Sequence, residues 1–200
     1  MELTLEQKEK FFKEKKKIGK VILDTTKKRG LIIFGARATN KQLPPHLRKH
    51  TEDYDLFTPN TPHKTARRIE RNLDRKFGGN YFEIKEALHP GTHKIINRIT
   101  NQGIADITKK PKKIKLIKRQ GIYYAHTDFQ KQKIKEALKD PKSKFRHSKD
   151  KETRLRIKLA ELQRKKRGKR KTRESVQQRA KKAFRMPKNA FRMPSLRSPI

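Results

Sequence analysis

Asp53 and Asp55 stand two positions apart in "DYDLF", residues 53 to 57. In an extended strand such residues point to one face and leave Tyr54 and Leu56 for the other. Side-by-side carboxylates repel, raise each other's pKa and cost stability unless a cation lies between them. Oxygen-rich carboxylate sites suit Mg2+ or Mn2+. The Asp-x-Asp pattern is common, so the argument needs a third group. Asp106 in "GIADIT" supplies it, because a carboxylate inside an apolar strand is poorly tolerated without a partner. If that strand lies beside "DYDLF", the three carboxylates converge at one edge of a sheet. A helix at either segment would scatter them.

The flanking sequence predicts the elements that hold these residues. "TLEQKEKFFKEKKKIGKVILDTTKKRG" reads as a helix, with capping-box spacing at Thr4 and Gln7, a stripe of Phe11, Ile18 and Ile22, and Gly30 to end it. "LIIF" reads as a short buried strand. From Gly35 to Thr51 the chain reads as an inserted loop, marked by Pro44-Pro45. After "DYDLF", Thr61 and Pro62 start a helix whose buried face is Ala66, Ile69, Leu73 and Phe77 and which Gly78 closes. "YFEIKEAL", "KIINRI" and "GIADIT" read as three strands with turns suited to antiparallel pairing, and "IKLI" and "GIYYA" as a further pair. Helices follow near Thr127 to Leu138 and from Ser148 to about Arg167.

Charge narrows the partner. The 200 residues carry 57 Lys and Arg against 20 Asp and Glu, a formal net charge of +37 that points to a polyanion, most simply RNA or DNA. An anionic membrane surface fits less well, because no segment pairs a basic face with a broad apolar one. No apolar run approaches the roughly 20 residues that span a bilayer, and no signal-peptide core is present in the first 26 residues, so the expected location is intracellular or in a virion. The absence of cysteine excludes disulfides and thiolate-bound zinc. From Arg164 onward fifteen Lys and Arg face the single Glu174, and aliphatic residues are sparse. The expected organisation is a domain at 1–163 followed by a basic tail at 164–200 that is unpacked or folds on a partner. "AFRMP" occurs there twice, at Ala183 and Ala190, and suggests paired docking contacts with a protein assembly.

A strand ending in a glycine turn, "FGARA" at 34 to 38, then "DYDL" at 53 to 56 and "ADI" at 105 to 107, resembles the nucleotidyltransferase superfamily that includes DNA polymerase β, poly(A) polymerases and antibiotic nucleotidyltransferases. It is most similar to compact viral and microbial versions, over roughly residues 5 to 165. The resemblance implies an α+β fold with a mixed sheet flanked by helices. It also implies catalytic, metal-holding roles for Asp53, Asp55 and Asp106 around two Mg2+ ions, with a nucleoside triphosphate as substrate. Gly35, Ala36, Arg37 and Lys149 would contact that nucleotide, and Lys41 and Arg48 are further candidates for its phosphates. The family usually has Gly-Gly or Gly-Ser at the turn. Ala36 has no hydroxyl, so contact there would rest on backbone N–H groups.

The function expected from this resemblance is metal-dependent transfer of a nucleoside monophosphate to a hydroxyl on nucleic acid, since a +37 protein repels a cationic antibiotic. The alternative from another class is a structural or packaging protein that keeps the fold and binds nucleic acid through its tail. A toxin-like enzyme modifying tRNA or protein is a third. Of Tyr123 and Tyr124, one can face a base while the other packs in the core. His46 and His50 have metal-ligand spacing but no third ligand, so zinc is not expected.

Overall fold

The computed structural model describes residues 5 to 183. Helix α1 spans Leu5–Arg29. Its Ile18 and Ile22 are buried as the stripe predicts, and Gly30 ends it at φ 61°, a left-handed conformation that glycine adopts without a Cβ clash. Thr4, the expected cap, lies outside the described residues. Strand β1 is Ile32–Ile33, helix α2 Gly35–Gln42 and strand β2 Tyr54–Thr58. Helix α3, Pro62–Phe77, starts with proline at its first position and ends at Gly78 with φ 72°, as expected from Thr61-Pro62 and the glycine. Strands β3 (Phe82–Glu86), β4 (His93–Asn97), β5 (Gly103–Lys109), β6 (Leu116–Arg119) and β7 (Ile122–Ala125) follow, then helices α4 (Thr127–Ala137) and α5 (His147–Ala183).

The strands form one sheet in the order β3-β4-β5-β2-β1-β7-β6. It is mixed, because β2 pairs with β5 and β1 with β7 in parallel while the other neighbours are antiparallel. Alternation along the strands divides the side chains between two faces. Ile33, Tyr54, Leu56, Ala105, Ile107 and Tyr124 share one core with Ile18 and Ile22 of α1 and Ala66, Ile69 and Leu73 of α3. On the other face Ile32, Phe57 and Ala125 form a smaller cluster with Phe34 and Phe129. Phe34 stacks on Phe57 at 3.8 Å between ring centroids, and Phe129 meets Phe57 edge-on at 5.5 Å. Asp55 and Asp106 alternate onto this second face. The sequence thus puts its large core on the side of α1 and α3 and leaves the aspartates on the side of the smaller cluster.

Two elements differ from the sequence reading. Gly35–Gln42 is a helix where a loop was expected. Ala38, Thr39 and Gln42 are buried. The Gln42 amide donates to the Ala125 carbonyl at 2.9 Å and accepts from the Thr127 N–H at 3.1 Å, so tertiary contacts settle the helix. Pro44 and Pro45 still stop it. The loop beyond is tied down by side chains: Asn40 bonds both backbone groups of Lys49, and Arg156 donates to the Leu47 carbonyl at 3.3 Å.

Helix α5 runs on to Ala183, past the expected boundary at 163/164. Lys, Arg, Gln and Ala are good helix formers and no proline intervenes before Pro187. Residues 164 to 168 are exposed, as a segment with few apolar side chains must be. By contacts the chain separates into units 1–157 and 158–200. The two Phe-Arg-Met-Pro copies lie outside the described residues. No described helix is long and apolar enough to cross a membrane.

Candidate active site

Parallel pairing of β2 with β5 sets Asp55 directly beside Asp106. The two carboxylates therefore sit on neighbouring strands and on the same face. Asp53 lies one residue before β2 and is exposed. Its backbone is held by Arg37, whose Nε donates to the Asp53 carbonyl at 2.7 Å and whose Nη2 donates to the Glu52 carbonyl at 2.8 Å. The guanidinium also lies 3.6 Å from the centre of the Tyr54 ring, a cation–π contact.

Electrostatics mark this corner of the sheet. Burial pushes the Asp55 carboxyl up to about 6, and the Asp106 and Asp53 charges push the same way, while Lys149 and Arg146 oppose them. Burial also raises Asp106, with Lys94 and His89 opposing and Asp53 adding to the rise. The Oδ1 of Asp106 is buried without a hydrogen-bond partner. An orphaned carboxylate oxygen beside a second, half-buried carboxylate is unfavourable in the bare protein. A divalent cation relieves both problems, and an all-oxygen donor set fits Mg2+ or Mn2+. Among the described residues no three His, Cys, Asp or Glu are gathered into a ready-made metal cluster. The structure brings Asp55 and Asp106 side by side and leaves Asp53 at the rim.

Gly35 closes the site from the β1 side. The Phe34 N–H donates to the Asp55 carbonyl at 2.9 Å, which brings the turn against β2. Gly35 then takes φ 63°. A Cβ there would overlap Oδ2 of Asp55 and stand 2.8 Å from its Cγ, so position 35 needs glycine both for conformation and for space. Ala36 and Arg37 continue the first turn of α2, which has no side-chain cap on its N–H groups.

Lys149, in the first turn of α5, lies within electrostatic reach of Asp55. So does Arg146, which the sequence reading missed. Its Nε holds Oδ2 of Asp150 at 2.9 Å, and Asp150 is buried. The available signal was an Arg four residues ahead of an Asp in a helix, a spacing that occurs widely on surfaces. Of the other candidates, Arg48 donates to the Leu43 carbonyl at 3.0 Å and so braces its own loop. Tyr124 is buried and Tyr123 is 37% exposed, with the Lys118 Nζ 5.3 Å from its ring. One of the two tyrosines thus packs in the core and the other is open to solvent.

Paired aspartates on adjacent strands of a mixed sheet, with a glycine-led helix pressed against one of them, place the chain in the nucleotidyltransferase class. Residues 20–144 match the family model described as poly(A) polymerase catalytic subunit, and the chain belongs to that family. Among solved structures it is similar to the crystal structure of the Megavirus polyadenylate synthase, with TM-score 0.64 and 24% sequence identity. The match covers 73% of this chain but only 31% of that one, so the chain spans about a third of that protein's length. No curated protein sequence matches.

Proposed function

We propose that this chain transfers a nucleoside monophosphate from a nucleoside triphosphate to the 3′ hydroxyl of an RNA, with Asp55 and Asp106 as the central metal-holding pair and Asp53 completing the set. The observation that carries this reading is the register of Asp55 against Asp106, two half-buried carboxylates side by side with one buried oxygen left unpartnered. Divalent ions bound there would neutralise the triphosphate and lower the pKa of the acceptor hydroxyl.

The protein's own groups have separate tasks in this reading. Gly35 lets α2 begin beside Asp55, so that the first-turn N–H groups of Gly35, Ala36 and Arg37 can receive phosphate oxygens. Lys149 and Arg146 bring positive charge to the same corner. Arg37 holds the entrance to β2 through its two carbonyl contacts. The family and the net charge of +37 support RNA as the acceptor. The family description speaks of poly(A), so ATP is the first donor to test. Residues 1–163 would form the catalytic domain, and the basic segment 164–200 would add contacts without sequence preference. Family membership favours this enzyme over a packaging protein.

The test is incubation of the full chain with labelled nucleoside triphosphates, Mg2+ or Mn2+ and an RNA pool, beside the Asp53→Asn, Asp55→Asn double variant. Label transfer that the variant abolishes supports the proposal. Equal RNA binding with no transfer by either protein overturns it.

A further inference from the structure

A concentration of unpaired charge lies on the opposite face of the sheet from the aspartates. There α1 and α3 flank an open groove of about 580 Å3. On α3, Lys64, Arg67, Arg68, Arg71 and Arg75 all line it. Their spacing puts them on a single stripe running about 16 Å along the helix at ~1.5 Å rise per residue. Lys28 and Arg29, in the last turn of α1, face them. Thr25 and Asn72 complete the lining, joined by a 3.2 Å bond from the Asn72 amide to the Thr25 hydroxyl. An adjoining cavity of about 540 Å3 shares Arg29, Lys64 and Arg68 and adds Lys109.

Two features separate this groove from a merely basic surface. No carboxylate lines it. None of its seven Lys and Arg side chains, all exposed, forms a hydrogen bond or ion pair with another described residue. By contrast, Lys15, Lys49 and Lys133 close on Glu52, Glu152 and Glu136 at 2.6 to 2.9 Å. The acid on α3 that feels Arg67 and Arg71 is Glu70, which does not line the groove. Seven like charges held in a concavity repel one another unless a polyanion occupies it.

We propose that the α1–α3 groove is a second nucleic-acid site, separate from the aspartate corner, that binds the phosphodiester backbone of single-stranded RNA. The lining offers point charges and forked guanidinium groups for phosphate oxygens. It contains no Phe, Tyr or Trp on which a base could stack. Recognition is therefore of backbone, without sequence preference, and is driven by counterion release. The site does not depend on the transfer reaction and is read without nucleotide.

The experiment uses the full chain and a fluorescein-labelled single-stranded RNA, titrated by anisotropy across a salt series. The Arg68→Gln, Arg71→Gln, Arg75→Gln variant is compared with Lys110→Gln, Lys112→Gln, Lys113→Gln, which removes equal charge from exposed residues outside the groove. The groove variant is expected to bind more weakly and to lose about 2 from the slope of log K against log salt, three contacts at ~0.7 each. The control should keep most of both. Identical losses in the two variants overturn the proposal. So does loss of binding to phosphatidylserine vesicles with RNA binding intact, which would make the groove a membrane site. Ultraviolet cross-linking on the unaltered protein gives a reading free of any folding effect: RNA adducts are expected in peptides around residues 25–29 and 64–75, and adducts confined to other segments count against the site.

Discussion

A Cβ atom at position 35 would fall on the carboxylate of Asp55. The turn that ends β1 and the acid on β2 therefore fit only because one partner has no side chain. Gly35→Ala must also hold alanine at φ 63°, at a cost of roughly 1–2 kcal/mol. For a domain of this size that lowers the melting temperature by only several degrees, roughly 2–4 °C per kcal/mol. Displacing Asp55 from Asp106 should cost far more in chemistry, about 10²-fold in transfer rate. A folded Gly35→Ala protein with unaltered transfer would show that the reaction occurs elsewhere.

The raised Asp55 carboxyl makes a prediction about stability in metal-free buffer. Its folded value of about 6 stands above the ordinary 3.8, so the native state binds the proton more tightly than the unfolded chain. The resulting stabilisation is fully present below about pH 4 and is lost as pH rises through about 6. Asp55→Asn removes the charge, so it should be more stable than the unaltered protein at pH 8, by on the order of 3 kcal/mol, and the difference should shrink toward pH 4. Paired thermal melts across this range check it. Mg2+ should raise the melting temperature of the unaltered protein and leave the variant unmoved.

Lys149 opposes the rise at Asp55. In Lys149→Met that opposition is gone, and the Asp55 proton is held to higher pH. The acid limb of the transfer profile should move upward, whereas the alkaline limb should stay in place. A profile that merely scales down, with both limbs fixed, would assign Lys149 a role that does not pass through Asp55.

Much of this site was legible in the sequence because strand periodicity is strict. Asp55 and Asp106 each interrupt an apolar run, and alternation alone assigns Leu56 and Ile107 to the core and the acids to the other face. Alternation does not give the neighbour or the direction of pairing. The parallel match of β2 to β5 is set by the whole sheet, with β3 and β4 between them in the chain but outside them in space. Helix α2 was illegible for a related reason. Its stability comes from Gln42 reaching Ala125 and Thr127, more than eighty positions away, which no local pattern records. Arg37 was visible as a basic residue after the glycine, but its partners are backbone carbonyls, and those carry no sequence signal.

Those partners would give the Arg37 side chain a positioning task, to be weighed against the nucleotide contact that the resemblance implies. Two guanidinium nitrogens hold the carbonyls of Glu52 and Asp53 while the same group lies against the Tyr54 ring. The side chain thereby orients the residue that carries the third carboxylate. Lysine keeps the charge but has neither the planar fork nor the stacking surface. If Arg37 positions Asp53, Arg37→Lys should lower kcat by about 10-fold or more with little change in KM for the nucleotide, since ground-state binding is untouched. If Arg37 instead binds the triphosphate, the conserved charge should rescue much of kcat, and the loss in Arg37→Met should appear chiefly as a higher KM. Steady-state kinetics of the two variants, with kcat and KM measured separately, decide between the roles.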